Sequence, residues 1–144
     1  MFLSRTFNPK KIKFSEHHLS HAASSYLCSP FNDAAIVTFD GVGEWASTTI
    51  SKGSENKINL IKEIHFPHSI GLLYSTFTAF LGFEVNEGEY KVMGMAPFGE
   101  PKYSNKIKEM LKIFDDGSFW LDMSFFSFHR SASKSFTAKF QELM

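Results

Sequence analysis

Three short apolar segments separated by turns, between residues 35 and 64, constrain the fold of this chain more than any other feature of its sequence. Residues 35–39 form a nearly unbroken apolar run, which predicts a strand buried on both faces. A turn at 40–43 leads to a second predicted strand at 45–50, and a turn at 53–56 leads to a third. The third strand is marked by its apolar residues, Ile58, Leu60 and Ile64.

Helical segments are predicted on both sides of these strands in the sequence. The first covers residues 15–29 and the second covers residues 69–81. Residues 103–114 have the clearest amphipathic pattern and predict a third helix, while a last helix is predicted to begin near Ser135. Between the second and third helices, the glycine-rich stretch 84–99 predicts a long ordered loop. Helices combined with strands in this order place the chain in the α/β class.

The composition is that of one soluble globular domain. Fifteen basic residues balance fifteen acidic ones, so the charge gives no sign of a nucleic-acid partner. No apolar run reaches the ~20 residues of a membrane span, and the segment before Arg5 is too short for a signal-peptide core. The single cysteine, Cys28, fits a reducing compartment, so we expect a cytoplasmic protein. Seventeen phenylalanines predict more apolar surface than a small domain can bury, as expected if partner segments cover it.

The predicted helix 15–29, which Ser15 can cap, carries three of the chain's six histidines within five residues. His17 and His21 are four positions apart, so they project from the same helix face and can bind one metal ion. His18 is rotated by about 100° and cannot easily join them. A zinc-hydrolase motif needs a glutamate directly after the first histidine, and its absence excludes that class. The alternative is a polar helix face that happens to contain three histidines.

Asp40, at the predicted end of the first strand, is followed by Gly41 and Gly43. Such strand ends in α/β proteins face the ligand crevice, and glycines let backbone N–H groups approach phosphate oxygens closely. Asp40 is therefore a candidate third metal ligand or magnesium anchor. The same pattern is also typical of an ordinary hairpin turn.

A polar, glycine-spaced segment, residues 86–94, lies between two apolar elements. Within it, Glu89 can hold a ribose hydroxyl, and Lys91 can contact a phosphate. The alternative interpretation is a solvent-exposed loop with a chance ion pair.

Five motifs occur in order between residues 14 and 125. They are EHHLSHAAS at 16–24, SPF at 29–31, DGVGEW at 40–45, FPHSIGLLY at 66–74 and GEYKVMGMAP at 88–97. Together they resemble the nodulation-protein and antibiotic O-carbamoyltransferases. The resemblance implies that ATP and carbamoyl phosphate form a carbamoyl-adenylate, whose carbamoyl group passes to a hydroxyl of a small-molecule acceptor, a sugar or another natural product.

The resemblance also implies a domain organisation. Residues 1–144 are expected to be part of an N-terminal domain of the actin-like ATPase (ASKHA) type, related to the tRNA threonylcarbamoyl transferases, with a mixed sheet and flanking helices. The domain is expected to be incomplete at both ends, with Met1 as an internal start in a split or truncated gene. The C-terminal adenylate-forming domain of the family is expected to be absent.

The family's metal site maps onto this chain by motif. His17 and His21 match its His-x-x-x-His pair, and Asp40 matches a further ligand. The expected divalent ion, Fe(II), Zn or Mn, orients the adenylate phosphate and polarises the carbamoyl carbonyl. The resemblance assigns no catalytic residue in this stretch.

The nucleotide site is matched less closely. Gly41 and Gly43 fall where the relatives have a phosphate-facing turn. Ser75 stands where a related transferase helix has an aspartate that contacts the ribose.

The leading hypothesis is a carbamoyltransferase fragment that acts with complementary segments of the same enzyme. One alternative is a non-catalytic remnant that still binds metal or nucleotide. Another is a degenerate gene product with an exposed core and no stable fold.

Overall fold

Three antiparallel strands in the order β1–β2–β3 form the main sheet of the computed structural model, which describes residues 9–144. They are β1 (Asp33–Gly43), β2 (Ala46–Ser54) and β3 (Lys57–His65), so the three predicted strands are confirmed and are longer than expected. Glu55 and Asn56, between β2 and β3, both have positive φ, 50° and 65°. That conformation is the one a tight two-residue hairpin turn needs, because its twist matches the twist of the strands.

Helix α1 (His17–Tyr26) covers one face of this sheet. Ala22 and Tyr26 pack against Ile36 of β1 and form a small core. Gly53 of β2 allows this approach, because a Cβ atom there would lie only 2.6 Å from the Tyr26 ring. The predicted helix is confirmed, but its N-cap residue is Glu16 rather than Ser15, and the cap has no side-chain hydrogen bond.

The other face of the sheet is more open than the sequence predicts. Val37 and Phe39 of β1 are 50% and 61% exposed, so the prediction of a strand buried on both faces is wrong for this chain. Along β1 the buried residues Ile36 and Thr38, which contact residues of α1, alternate with these exposed ones, as expected for a strand with one well-covered face.

The second half of the described chain is mainly helical around a two-stranded hairpin. Met110, Phe126 and Phe140 are almost completely buried in its core, against which Ile70 and Phe77 pack. Its elements are α2 (Ile70–Phe80), α3 (Glu89–Met95), a short 3-10 helix (Ala96–Phe98), α4 (Ser104–Met110), β4 (Leu111–Ile113), β5 (Phe119–Leu121) and α5 (Ala138–Leu143). A further 3-10 helix, Pro9–Lys11, precedes α1.

The second predicted helix is confirmed as α2, and its cap is well made. The Ser69 hydroxyl accepts a hydrogen bond from the Leu72 N–H at 3.0 Å. Such a cap satisfies one of the N–H groups that have no partner in the first turn. After the helix, Gly82 has a φ of +83°, which a residue with a side chain rarely adopts.

Two secondary-structure predictions, one of a loop and one of a helix, are wrong. The stretch 84–99, predicted as a loop, contains α3 and a 3-10 helix; Gly88 is the N-cap and Glu89 lies in the first turn, where a carboxylate is favoured. The helix predicted at 103–114 ends at Met110, because the next three residues pair with β5 as an antiparallel strand. The last helix begins at Ala138, slightly later than Ser135.

The α/β class is confirmed, with a different type of sheet. Both sheets within residues 9–144 are antiparallel, so the expected mixed sheet is not present in this part of the chain. None of the helices in the described residues is long and apolar enough to cross a membrane. The segment before Arg5, in which no signal-peptide core is predicted, lies outside the described residues.

Candidate metal centre

His17, His21 and Asp40 lie together, with one potential ligand atom from each within 4.8 Å of the other two. His17 Nε2 contacts Asp40 Oδ2 directly. His21 Nε2 is 3.0 Å from His17 Nε2 and 3.6 Å from Asp40 Oδ2. The histidines are on the first turns of α1, so the four-residue spacing places both imidazoles over β1, as the sequence predicts.

Asp40 lies inside β1 rather than at its end. The strand continues to Gly43, but its pairing with β2 is irregular between Phe39 and Gly43. The prediction that Asp40 ends the strand is therefore wrong. An irregularity of this kind releases a residue from the regular ladder and changes the direction of its side chain.

Several groups hold Asp40 in place. Its Oδ1 accepts a hydrogen bond from the Gly41 N–H at 2.6 Å, and its carbonyl accepts one from the Ser69 hydroxyl at 2.9 Å. Gly71, in the first turn of α2, packs directly on the same peptide, since a Cβ there would be 2.6 Å from the Asp40 carbonyl oxygen. The start of α2 and the candidate metal ligand are therefore fixed to each other.

The pKa of the Asp40 carboxyl is lowered below its ordinary value. Partial burial by itself raises this pKa, but the hydrogen bonds from His17 and from the Gly41 N–H, with the charges of His17 and His21, lower it by more. The carboxylate is thus kept in the anionic form that a cation requires.

His18 has a different role, as its rotation on the helix predicts. It is buried, its Nδ1 lies 2.6 Å from the Thr38 hydroxyl, and its Nε2 lies 2.9 Å from the Ala46 carbonyl oxygen. Since a carbonyl only accepts, Nε2 carries a proton and donates it. Both ring nitrogens are therefore used to fix α1 to the sheet.

Gly43 lies directly under the histidines. A Cβ atom at this position would be 2.5 Å from His17 Cδ2 and 2.6 Å from His18 Nε2. The absence of a side chain is what lets the first turn of α1 approach β1 so closely. The predicted role of Gly43 toward a phosphate is a separate matter and stays a prediction.

An open cavity of about 740 Å³ adjoins the candidate centre, between β1 and α2. Asp40, Gly41, Ser75 and Glu89 are among its lining residues, so four of the residues predicted for metal or nucleotide lie around one space. The ammonium of Lys91 instead lies over the rings of Phe83 and Tyr90, and Lys91 does not line the cavity.

Ser75 and Glu89 form a pair at this cavity. The Ser75 hydroxyl donates to Glu89 Oε1 at 2.8 Å, and the Asn86 N–H donates to the same oxygen at 3.1 Å. Slight burial raises the pKa of Glu89, but these two hydrogen bonds and nearby backbone N–H groups lower it by more. The pair thus presents an anionic acceptor toward the cavity.

Two residues that support the site are not among the predicted site residues. Ser69 and Gly71 belong to the motif at 66–74, and the sequence indicates only that a helix begins there. Their contact with Asp40 joins positions about thirty residues apart, which no local spacing reveals.

Comparison with known proteins identifies the family. A family model described as the carbamoyltransferase N-terminus matches residues 3–144. The chain belongs to the carbamoyltransferase family. This agrees with the resemblance carried by the five sequence motifs.

Relatives of this carbamoyltransferase chain are much longer proteins. An uncharacterized protein of Synechocystis sp., sll1178, is 54% identical over 116 residues, which are 80% of the chain and 19% of that protein. Nodulation protein NolNO of Sinorhizobium fredii is 35% identical over 113 residues, 78% of the chain and 16% of the relative. Nodulation protein NolO of Bradyrhizobium diazoefficiens is 32% identical over 104 residues, which are 72% of the chain and 19% of that protein. The chain therefore spans about a fifth or less of the length of these relatives.

Proposed function

We propose that the chain contributes the metal centre and part of the nucleotide site of an O-carbamoyltransferase. The observation that carries this proposal is the convergence of His17, His21 and Asp40 in a chain of the carbamoyltransferase family. The complete activity is proposed for a longer protein of the kind represented by the relatives, in which other segments complete the domain. An actin-like architecture of that complete domain is part of the proposal.

The three side chains fit a divalent transition-metal ion. Two imidazole nitrogens and one carboxylate oxygen suit Fe(II), Zn or Mn, and three protein ligands leave coordination positions open for a substrate. When bound, the ion supplies Lewis acidity, which polarises a carbonyl and neutralises charge on a phosphate.

The residues of the chain prepare the site for this cation. Asp40 is fixed on both sides, through its carboxylate by the Gly41 N–H and through its carbonyl by Ser69. Its lowered pKa keeps it anionic, so no proton has to be removed from it before a cation binds. His18 holds the helix so that the neighbouring imidazoles stay above Asp40.

The cavity between β1 and α2 is the proposed place of the nucleotide. Glu89 would accept a hydrogen bond from a ribose hydroxyl, with Ser75 orienting the carboxylate. Gly41 leaves room beside Asp40, since a Cβ there would meet only Leu72, at 3.7 Å. A phosphate could therefore approach the backbone near the candidate centre.

The proposed reaction begins with hydrolysis of carbamoyl phosphate to carbamate and inorganic phosphate. A carbamate oxygen then bonds to the α-phosphorus of ATP, the bond from that phosphorus to the β-phosphate bridge oxygen breaks, and pyrophosphate leaves, which gives a carbamoyl-adenylate. An acceptor hydroxyl oxygen next bonds to the carbamoyl carbon, and the bond from that carbon to the phosphate oxygen breaks. The electron pair of that bond leaves with AMP, and the hydroxyl proton passes to water. The products are a carbamate ester and AMP.

Metal content tests the proposal. The purified chain, incubated with Fe(II), Zn or Mn in turn and desalted, is expected to retain one ion per chain in elemental analysis. His17→Ala, His21→Ala and Asp40→Asn should each weaken metal binding by at least about 10–100-fold. That is the usual loss when a residue that only hydrogen-bonds to a metal ligand is removed, and a ligand itself should matter at least as much.

His65→Ala is the matched control, because this exposed histidine pairs with Glu63, away from the cluster, and its removal should leave metal content unchanged. Equal metal content in all four variants and the wild type would refute the proposed centre.

A further inference from the structure

A set of buried hydrogen bonds joins the first turn of α1 to the neighbouring strands β1 and β2. His18 Nδ1 lies 2.6 Å from the Thr38 hydroxyl oxygen, which in turn lies 2.7 Å from the hydroxyl oxygen of Thr49. All three side chains are buried. We call these three residues the His18–Thr38–Thr49 network. None of them is a candidate metal ligand.

The direction of each hydrogen bond in the network follows from one carbonyl group. His18 Nε2 donates to the Ala46 carbonyl oxygen at 2.9 Å, because a carbonyl only accepts. In a neutral imidazole with its proton on Nε2, the other ring nitrogen is an acceptor. Thr38 therefore donates its hydroxyl proton to His18 Nδ1, and the Thr38 oxygen accepts from the Thr49 hydroxyl.

The two threonines face each other in the regular part of the main sheet. Thr38 and Thr49 are register partners in the β1–β2 ladder, and this pairing becomes irregular after Phe39. A cross-strand threonine pair joined through its hydroxyls stabilises the strands locally. Asp40 lies in the irregular segment, two residues beyond Thr38. The network thus ties α1 to the last regular pair of the ladder before the candidate ligand.

The network and the candidate metal centre share the first turn of α1. His17 and His18 are consecutive; His17 contacts Asp40, and His18 contacts Thr38, two positions earlier in β1. Within residues 9–144, the hydrogen bonds that join this turn to the sheet come from these two histidines. The turn also has no side-chain cap. The place of the His17 imidazole over Asp40 therefore depends on where His18 is held.

The other end of α1 is held in a different way. Ala22 and Tyr26 pack on Ile36 through apolar contacts that do not involve the network. Loss of a hydroxyl from the network should therefore loosen the first turn while the helix stays on the sheet. An effect on the metal centre is then separable from an effect on the whole fold.

We propose that Thr38 and Thr49 are positioning residues of the metal centre and act on it through His18. This inference rests on the proposed function, because it concerns the metal ion proposed there. Neither hydroxyl contacts a candidate ligand, so the effect has to pass through the imidazole of His18. With that ring fixed, the imidazoles before and after it on the same helix face stay over Asp40.

Valine substitutions and a Co(II) titration test this role, because valine has nearly the shape of threonine but no hydroxyl. Thr38→Val leaves the buried Nδ1 of His18 without a donor. It should weaken Co(II) binding about tenfold, the lower end of the loss seen when a residue that supports a metal ligand is removed. Thr49→Val keeps the hydrogen bond from Thr38 to His18 and should weaken binding less. Affinities are measured by competition with a chelating dye, at a temperature where every variant is folded.

Thr48→Val is the matched control. Thr48 is next to Thr49 on β2 and is buried to the same extent, 4% exposed, but its hydroxyl has no hydrogen-bond partner among residues 9–144. Its side chain points to the opposite face of the sheet, as alternate strand residues do. Thr48→Val should therefore leave Co(II) affinity unchanged. Thr38→Ser keeps a hydroxyl at the critical position and should bind Co(II) nearly as tightly as the wild type.

The visible absorption spectrum of bound Co(II) separates positioning from a general loss of stability. The bands of Co(II) depend on coordination geometry, so Thr38→Val should change them even when the site is saturated. A substitution that only destabilises the fold leaves the spectrum of the saturated, folded protein as in the wild type. Thr38→Ser and Thr48→Val should both keep the wild-type spectrum.

The possible outcomes distinguish this inference from the proposed function. Wild-type affinity and spectrum in both Thr38→Val and Thr49→Val would overturn the positioning role and leave the metal centre in place. Equal weakening by Thr48→Val would overturn it as well, because the effect would not follow the network. Absence of Co(II), Fe(II), Zn and Mn binding in the wild type would refute the proposed centre, and the positioning role with it. If Thr38→Val does not fold, the comparison of Thr49→Val with Thr48→Val decides.

Discussion

At the scale of single residues, Gly43 sets the distance between the histidine-bearing turn of α1 and strand β1. Gly43→Ala would place a methyl group 2.5–2.6 Å from atoms of His17 and His18, so the helix has to move outward. We expect a loss of about 1–3 kcal/mol of stability, as for other overpacked sites, together with weaker metal binding. Chemical denaturation and a metal titration measure the two effects.

Gly94→Ala is the matched control for this substitution. A Cβ at Gly94, inside α3, meets no atom within 4 Å, so alanine there should leave metal binding unchanged and should not destabilise the chain. If both glycine variants bind metal as tightly as the wild type, the close approach at Gly43 does not matter for the centre.

The sequence predicts the candidate ligands better than it predicts what supports them. The four-residue spacing of His17 and His21 is a property of one helix, and a local pattern is enough to place both on one face. Asp40 is identified by the glycines beside it and by resemblance. Ser69 and Gly71, which fix the Asp40 peptide, contact it only through the tertiary fold, so no local pattern indicates their role.

At the scale of elements, His68 joins the segment before α2 to the β4–β5 hairpin. Its Nδ1 accepts a hydrogen bond from the Leu121 N–H at 3.2 Å, and its ring stacks on Trp120 with centroids 4.8 Å apart. Burial lowers the pKa of His68 below the ordinary value. The folded state thus prefers neutral His68, whereas the unfolded state binds a proton at a higher pH.

This difference predicts how stability depends on pH. The contribution of neutral His68 is fully present above the ordinary histidine pKa of about 6.5 and is lost as the pH falls through the lower folded-state value. His68→Asn keeps an acceptor for the Leu121 N–H and does not titrate. Urea denaturation from pH 7.5 to pH 5 should show the wild type losing more stability than the variant. Parallel curves would exclude His68 as the source.

The boundary between α4 and β4 shows why some elements are not predicted from sequence. Residues 103–114 have a helical apolar period, yet the helix ends at Met110 and Leu111 adopts φ −124° and ψ 113°. Residues 111–113 could continue the helix, but instead they pair with β5 as an antiparallel strand. Because that partner strand follows later in the chain, the local period is overridden by a tertiary contact.

At the scale of the whole molecule, the phenylalanines within residues 9–144 range from fully buried to almost fully exposed. Phe126 and Phe140 are at most 1% exposed and form a core with Met110, whereas Phe14 and Phe98 are more than 90% exposed. The described residues thus show exposed apolar side chains of the kind that the composition predicts. The sequence predicts such exposure from composition alone, but composition cannot tell which rings are buried.

A stable fold of this chain requires that its buried phenylalanine side chains form a core large enough to make unfolding cooperative. Phe140 is completely buried and its ring lies 5.2–6.1 Å from those of Phe77, Phe80, Phe126 and Phe136. Phe140→Ala should therefore cost about 3–5 kcal/mol, the usual range for deleting a buried aromatic ring. Phe98→Ala, which removes the same side chain from a position that is 92% exposed, should change stability little.

Calorimetry of the two variants decides between a folded domain and a degenerate chain with an exposed core. A single unfolding transition that moves to lower temperature in Phe140→Ala and stays in place in Phe98→Ala requires a specific core around Phe140. A broad, non-cooperative transition that is the same in the wild type and both variants would contradict that core. The metal centre would then lose its support, because Asp40 is positioned by α2, whose Phe77 packs on Phe140.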